Sequence, residues 1–182
     1  MRLGIILGSF DPIHIGHLNL AASALNLDLV DHVLFVPAYQ NPWKEQSKAD
    51  FWTRCFLTNL AIANMDNCGV SDIEAVTKAP HYSADTLKAL QEEHPNDELF
   101  LIVGADVAKQ IKDWHDGAWI LANVYLITVD RPGYESTAMV DITHTIDISS
   151  TQIRNLAKQG KQLIPWVPEL VAKYIKHMKL YE

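Results

Sequence analysis

The chain has 182 residues, of which 48% are hydrophobic and 20% are charged, so it can bury a sizeable core and is not disordered as a whole. A net charge of −7 at pH 7, without any run of Lys and Arg, argues against a nucleic-acid polymer or an anionic membrane surface as the main partner. No apolar stretch is long enough to cross a bilayer, and Cys55 and Cys68 stand in no metal-ligand spacing. We therefore expect one cytoplasmic domain over residues 1–182, with both thiols reduced.

The hydrophobic pattern alternates between strands and helices almost from the first residue. Short apolar runs that end at Gly or Pro predict buried strands, and apolar residues at helical spacing predict helices. In chain order, the first half contains a strand at 3–7, a helix at 15–25, a strand at 32–36, a polar loop at 38–48, a helix at 49–65, a strand at 70–76 and a helix at 83–93 with Ser83 or Asp85 as its cap. The helix at 49–65 is predicted to bury a face formed by Trp52, Phe56, Leu57, Leu60 and Ile62.

The second half continues the alternation. Its elements are a strand at 99–103, helical residues at 107–114 and 118–121, a strand at 124–129, an irregular stretch after 133, a short helix from 149–151 to 160 and a last helix after 167. This order indicates the α/β class, with a doubly wound parallel sheet followed by a C-terminal helical segment. Such sheets bind ligands beyond the carboxyl ends of their strands, where we expect Gly8 and Gly104.

The most informative segment follows the first strand and reads Gly-Ser-Phe-Asp-Pro-Ile-His-Ile-Gly-His, residues 8–17. The turn brings backbone N–H groups close to a phosphate, and Gly16 leaves room for a ligand. His14 and His17 lie at the start of a helix, where they are suited to donate to a phosphate whose charge changes during transfer. Two alternatives are that both imidazoles cap or pack the helix, or that they bind zinc; the zinc site would need a third ligand, and none is obvious nearby.

A second group of donors lies near the C-terminus, in Ile-Ser-Ser-Thr-Gln-Ile-Arg at residues 148–154. Ser150 and Thr151 place hydroxyls at a helix N-terminus, and the guanidinium of Arg154 follows one turn later. Such groups hold phosphate oxygens, since a guanidinium spans two of them. The alternative is an ordinary helix cap followed by a solvent-exposed Arg.

Together the two segments resemble the paired signatures of the adenylyl- and cytidylyl-transferase superfamily, and Ser-Phe-Asp-Pro is typical of its adenylyl branch. Other segments resemble the bacterial nicotinate-nucleotide adenylyltransferases: Pro-His-Tyr-Ser-Ala-Asp-Thr-Leu at 80–87, Ile-Val-Gly-Ala-Asp at 102–106, Arg-Pro-Gly-Tyr at 131–134 and Val-Pro-Glu-Leu-Val at 167–171. The resemblance spans nearly the whole chain. It implies a Rossmann-like nucleotidyltransferase fold.

The resemblance also implies a reaction, in which AMP passes from ATP to nicotinate mononucleotide and pyrophosphate leaves, as a step of NAD biosynthesis. Mg²⁺ is the implied cofactor, held mainly by the phosphates of ATP, with no metal site in the protein. The implied catalytic residues are His14, His17, Lys44 and Arg154. The implied ATP-binding residues are Gly8, Ser9, Phe10, His14, Gly16, His17, Gly104, Asp106, Ser150, Thr151 and Arg154. The implied mononucleotide-binding residues are Lys44, Tyr82, Ser83, Trp114 and Arg131, with Trp114 stacked on the pyridine ring and Ser83 holding its carboxylate.

Several of these residues have plainer explanations when taken alone. Trp114 is then a packed or surface aromatic, Asp106 a helix cap and Arg131 a solvated loop charge. Two departures from the family leave the choice between acid and amide open: His81 stands where a Ser is usual, and Trp43 where a His is common.

The open alternatives are the same chemistry on nicotinamide mononucleotide or phosphopantetheine, and a nucleotide-sensing module without turnover. A dehydrogenase is disfavoured, because no Gly-x-Gly-x-x-Gly follows the first strand. The sequence leaves a homo-oligomer open.

Overall fold

A computed structural model describes residues 1–40, 46–77, 81–129, 141–142 and 148–182, with the backbone alone at 106, 141 and 142. The described strands are Arg2–Gly8, His32–Pro37, Cys68–Val70, Glu98–Gly104, Tyr125–Val129 and Asp141–Ile142, numbered β1 to β6. They form one sheet in the order β3-β2-β1-β4-β5-β6, and every neighbouring pair is parallel. The strand order therefore reverses between β1 and β4, and the predicted doubly wound sheet is confirmed.

The helices cover both faces of this sheet. They are Ile15–Asn26, Phe51–Ile62, Ile73–Val76, Ser83–Glu93, Ala105–Ala108, Gly117–Asn123, Ser150–Lys158 and Glu169–His177, numbered α1 to α8, with a 3-10 turn at Ile111–Asp113. Buried residues of α1, α2, α7 and α8 pack in one core, and those of α3, α4 and α6 pack in another. Because neighbouring strand residues point to opposite faces, Ile5 and Ile6 lie in different cores, as do Leu101 and Ile102.

Three element predictions needed correction. The strand predicted at 70–76 is only the short β3, and the following residues turn into α3. Ser71 begins this change, since its hydroxyl accepts a hydrogen bond from the backbone N–H of Ile73 at 3.3 Å. The helical residues predicted at 107–114 divide into the short α5 and the 3-10 turn, and β6 lies in the stretch that was predicted to be irregular.

The buried face of α2 also differs from its prediction. Leu57 and Ile62 are buried as predicted, but Trp52 is 60% exposed and Phe56 is 46% exposed. Their places in the core go to residues of another face: Phe51, Arg54, Cys55, Thr58 and Ala61. The charged Arg54 determines this orientation, because its guanidinium has carbonyl partners only inside the protein, as described below.

Two smaller points concern helix starts and membrane segments. α4 begins at Ser83 and ends at Glu93, as predicted, but its N-cap is Tyr82 and not Ser83 or Asp85. Among the residues described, no helix has the length and hydropathy that a membrane span requires.

Candidate active site

A cavity of about 550 Å³ opens at the carboxyl edge of the sheet, where β1 and β4 end at Gly8 and Gly104. This is the switch point at which doubly wound sheets bind ligands, and the volume suits a small molecule. The cavity brings together residues from four parts of the chain. The predicted site residues that line it are Gly8, Ser9, Phe10, His14, Gly16, His17, Gly104, Trp114, Ser150, Thr151 and Arg154.

The turn after β1 is shaped by a buried aromatic ring. Phe10 has φ of +45° and only 1% exposure, and its ring meets the rings of His17 and Phe35 edge to face at 4.9 and 5.8 Å. A Cβ atom at Gly8 would lie 2.7 Å from the Phe10 ring, so this position requires glycine. The side chain of Phe10 thus serves packing.

The two histidines of the turn are held against each other. Their rings stack with centroids 3.6 Å apart, and the backbone N–H of His14 donates to Nδ1 of His17 at 3.3 Å. An accepting Nδ1 leaves the proton of the neutral ring on Nε2, which is then a donor for a ligand. Gly16 has a role that the sequence did not reveal, since a Cβ atom there would come within 3.0 Å of the His14 ring.

Asp11, which the sequence analysis did not select, is the centre of the hydrogen bonds behind this turn. Its carboxylate is 4% exposed and accepts from the backbone N–H groups of Lys48 and Ala49 at 2.7 and 3.0 Å, and from the Tyr181 hydroxyl at 2.9 Å. The guanidinium of Arg154 donates to the Asp11 carbonyl at 2.7 Å. The presence of Asp11 in the motif was readable in the sequence, but its partners were not, because they lie 37 to 170 residues away.

Arg54 is a second residue that the sequence did not reveal. It is 1% exposed and donates to the carbonyls of Ser9, Ala49 and Tyr39 at 2.6, 3.2 and 3.4 Å. Burial lowers the pKa of its guanidinium, and the nearby Asp11 carboxylate opposes that shift. Arg54 therefore fixes the backbone of the turn after β1 from inside the protein. The available signal was a charge placed within an apolar stretch of α2.

The N-terminus of α7 forms another wall of the cavity. Ser149 is the cap, since its hydroxyl accepts from the backbone N–H of Gln152 at 3.3 Å. Ser150 donates to the Pro12 carbonyl at 2.9 Å, which joins α7 to the turn after β1. The hydroxyl of Thr151 accepts from Arg154 at 3.0 Å, so the guanidinium has partners that fix its direction.

The predicted mononucleotide residues are brought together only in part. Trp114, at the end of the 3-10 turn, lines the cavity, whereas Tyr82 and Ser83 do not. The Tyr82 ring instead stacks on His115, with centroids 4.1 Å apart; this histidine was not selected from the sequence. Lys44 and Arg131 lie outside the described residues, and the side chain of Asp106 is not described either.

A buried carboxylate joins the loop after β2 to the first turns of α4. Glu74 accepts from the backbone N–H of Tyr39 and from the Thr86 hydroxyl, both at 2.8 Å. Burial raises the pKa of Glu74, while the hydrogen bond from Thr86 opposes the shift. His81 stands where a Ser is usual in the family that the sequence resembles. Its Nδ1 lies 3.3 Å from the Thr77 hydroxyl, so its side chain makes a structural contact.

The cavity offers donors to anions more than ligands to a metal ion. Within the described parts of the chain, no three His, Cys, Asp or Glu side chains converge as a metal site. The one carboxylate at the turn, that of Asp11, already has three donors. Imidazole, guanidinium and hydroxyl groups around one cavity are suited to a ligand that carries several phosphates.

Comparison with known proteins identifies the family. Residues 5–156 match the cytidylyltransferase-like family. A probable nicotinate-nucleotide adenylyltransferase of Thermus thermophilus is 38% identical over 186 residues, covering 100% of both chains, and one of Geobacter sulfurreducens is 34% identical, covering 100% of this chain and 98% of the relative. The fold is similar to that of Plasmodium falciparum nicotinic acid mononucleotide adenylyltransferase complexed with NaAD, with a TM-score of 0.84, 21% identity, and coverage of 99% of this chain and 97% of that one. The chain therefore belongs to the cytidylyltransferase-like family and, within it, to the nicotinate-nucleotide adenylyltransferases.

Proposed function

We propose that the protein transfers AMP from ATP to nicotinate mononucleotide, giving nicotinate adenine dinucleotide and pyrophosphate. The observation that carries this proposal is the meeting of His14, His17 and Arg154 at one cavity at the switch point of the sheet. These residues come from sequence positions about 140 apart, and all of them are donors suited to phosphate oxygens. Relatives that share the whole length of the chain carry the same activity in their names.

The reaction proposed is a direct in-line displacement at the α-phosphorus of ATP. A phosphate oxygen of the mononucleotide forms the new P–O bond, and the bond from the α-phosphorus to the bridging oxygen breaks, so that its electron pair leaves with pyrophosphate. An ionised phosphate needs no base to activate it. The protein therefore contributes alignment of two anions and neutralisation of the charge that develops between them.

Each cavity residue has a role in that scheme. Nε2–H of His17 donates to the α-phosphate, and Arg154 holds the β- and γ-phosphates that become pyrophosphate. The backbone of Gly8 and Ser9 approaches the triphosphate. Lys44 remains the proposed further cation near the phosphates, and Gly104 and Asp106 the proposed contacts of the adenosine.

Mg²⁺ is proposed to enter as the Mg²⁺–ATP complex, coordinated mainly by phosphate oxygens. The cation then reduces the charge of the substrate, and the donors of the cavity complete its neutralisation. The cytoplasm, which supplies Mg²⁺–ATP, is the proposed location. Whether the protein forms a homo-oligomer does not affect this scheme, since the donors named above come from one chain.

The mononucleotide is proposed to bind at the Trp114 end of the cavity. An indole in the cavity wall offers a face on which a pyridinium ring stacks, with a cation–π contribution. Ser83 and Arg131 are the proposed contacts of the carboxylate and the mononucleotide. The preference for acid over amide depends on these polar contacts, because the two rings stack equally well.

The test is pyrophosphate release by the purified protein with Mg²⁺–ATP and, in turn, nicotinate mononucleotide, nicotinamide mononucleotide and phosphopantetheine. We expect the fastest release with the nicotinate form, a dinucleotide product of matching mass, and loss of turnover when EDTA removes the metal. A preference for the amide would keep the chemistry and overturn the acceptor. Nucleotide binding without pyrophosphate release for any acceptor would overturn the enzyme and favour the sensing module.

A further inference from the structure

The C-terminal residues return to the turn that carries the two histidines. After α8 ends at His177, Lys179 and Tyr181 have φ of +50° and +71°, the left-handed region that side chains other than glycine rarely adopt. The backbone N–H of Leu180 donates to the Ile175 carbonyl at 3.0 Å, which folds the end of the chain back on α8. Such a turn persists because the contacts it makes outweigh its cost.

The contact that this turn makes is a hydrogen bond to Asp11. The Tyr181 hydroxyl lies 2.9 Å from Oδ1 of the carboxylate, 170 residues away along the chain. Burial, together with the adjacent carboxylate, raises the pKa of the Tyr181 phenol, which therefore stays protonated and donates. Among the residues that the structure describes, the other donors to the carboxylate are the backbone N–H groups of Lys48 and Ala49.

Arg154 lies next to this saturated carboxylate. Nη1 of Arg154 donates to the backbone carbonyl of Asp11 at 2.7 Å but lies 3.9 Å from its Oδ2, too far for a hydrogen bond. The carboxylate thus accepts from three neutral donors. Arg154 is within ion-pair distance of it but donates to the Asp11 carbonyl and the Thr151 hydroxyl, and it lines the cavity. Without the phenol, a buried carboxylate would lack one donor, and the nearest cation would move toward it.

We infer that Tyr181 is a positioning residue for the triphosphate: its hydroxyl satisfies Asp11 and so leaves the Arg154 guanidinium available to the phosphates of ATP. This inference rests on the proposed function only in taking ATP as the ligand. It predicts that the phenol hydroxyl affects ATP binding through Arg154, although it lies outside the residues that line the cavity.

The experiment is a double-mutant cycle with Tyr181→Phe and Arg154→Gln, in which calorimetric titration measures the affinity for Mg²⁺–ATP without acceptor. Tyr181→Phe is expected to weaken binding about tenfold in the otherwise unchanged protein, the effect of about one hydrogen bond to a charged group. In the Arg154→Gln background the same change is expected to alter affinity by less than about twofold. The matched control is Tyr125→Phe, which should leave the affinity unchanged. Tyr125 is the first residue of β5 and lies at the amino ends of the strands, whereas the cavity lies at their carboxyl ends.

Other outcomes overturn the inference. Unchanged affinity in Tyr181→Phe would do so, whether or not its melting temperature falls, and so would an equal loss in both backgrounds, since a merely structural role is additive. The titration does not depend on turnover. A protein that binds ATP and releases no pyrophosphate would refute the proposed function and leave this test intact, whereas a protein that does not bind ATP would refute both.

Discussion

The part of the cavity proposed to bind the triphosphate, here called the phosphate side, differs from the part proposed to bind the mononucleotide, here called the mononucleotide side. On the phosphate side the donating side chains have partners inside the protein, whereas on the mononucleotide side Trp114 lines the cavity and Tyr82 and Ser83 do not. Arg154 donates to Asp11 and Thr151, and the rings of His14 and His17 stack on each other. Tyr82 does not line the cavity and stacks instead on His115.

A physical reason accounts for this division. Stabilising charge during phosphoryl transfer requires donors that are already in position, because reorganisation at the moment of reaction costs free energy. Recognition of a flat ring makes smaller demands, since stacking tolerates some displacement of the two faces. We therefore expect changes on the phosphate side to reduce kcat, and changes on the mononucleotide side to raise KM for the acceptor.

The largest expected effect comes from His17→Ala. Loss of a donor to the α-phosphate should reduce kcat about 1000-fold, with a melting temperature close to that of the parent protein. The control is His177→Ala, which removes an exposed imidazole at the end of α8 and should leave kcat unchanged. Steady-state pyrophosphate release measures both variants. Near-normal turnover in folded His17→Ala would remove the imidazole from the scheme.

A smaller effect is expected from Trp114→Ala on the other side of the cavity. Loss of the stacking face should raise KM for nicotinate mononucleotide about tenfold or more and change KM for ATP much less. Trp52→Ala is the matched control, since that indole is 60% exposed on α2. Equal effects of Trp114→Ala on both substrates would contradict the separation of the two sides.

The smallest effect is on stability and comes from Glu74, which accepts a hydrogen bond from Tyr39 in the loop after β2. Burial raises the pKa of Glu74 in the folded protein above the ordinary value of 4.5. Its contribution to the free energy of unfolding is therefore fully present below pH 4.5 and is lost as pH rises through the raised pKa. Glu74→Gln should remove this loss, whereas Glu93→Gln, on the exposed end of α4, should retain it. Urea unfolding as a function of pH measures the difference. Parallel curves for the parent protein and Glu74→Gln would show that Glu74 does not titrate in this range.

The sequence predicted β1, β2, β4 and β5 because each of them is largely an apolar run, and a strand of a parallel sheet is buried on both faces. It misplaced β3 and missed β6, which are only three and two residues long. It failed on the face of α2. Helical spacing alone allows either the face of Trp52 and Phe56 or the face of Arg54 to lie on the surface. The hydrogen bonds of Arg54 to the carbonyls of Ser9 and Tyr39 decide which face is buried. Those partners come from other elements and leave no local signal.

The candidate site divides in the same way. His14, His17 and Arg154 belong to two motifs that together resemble the paired signatures of the superfamily and so predict phosphate chemistry. Asp11 and Tyr181 act through a contact across 170 residues, which single-sequence patterns do not encode. The sequence therefore predicted groups that line the cavity and missed the groups that hold them.

The most direct test of direct transfer is the stereochemistry at the α-phosphorus. The reaction is run with one diastereomer of ATP bearing sulfur in place of a non-bridging α-oxygen, and the configuration of the dinucleotide product is determined. One in-line displacement, with no nucleophile from the protein, predicts inversion of configuration. Retention would require two displacements through an adenylylated side chain, and would contradict a site that acts only by alignment and charge neutralisation.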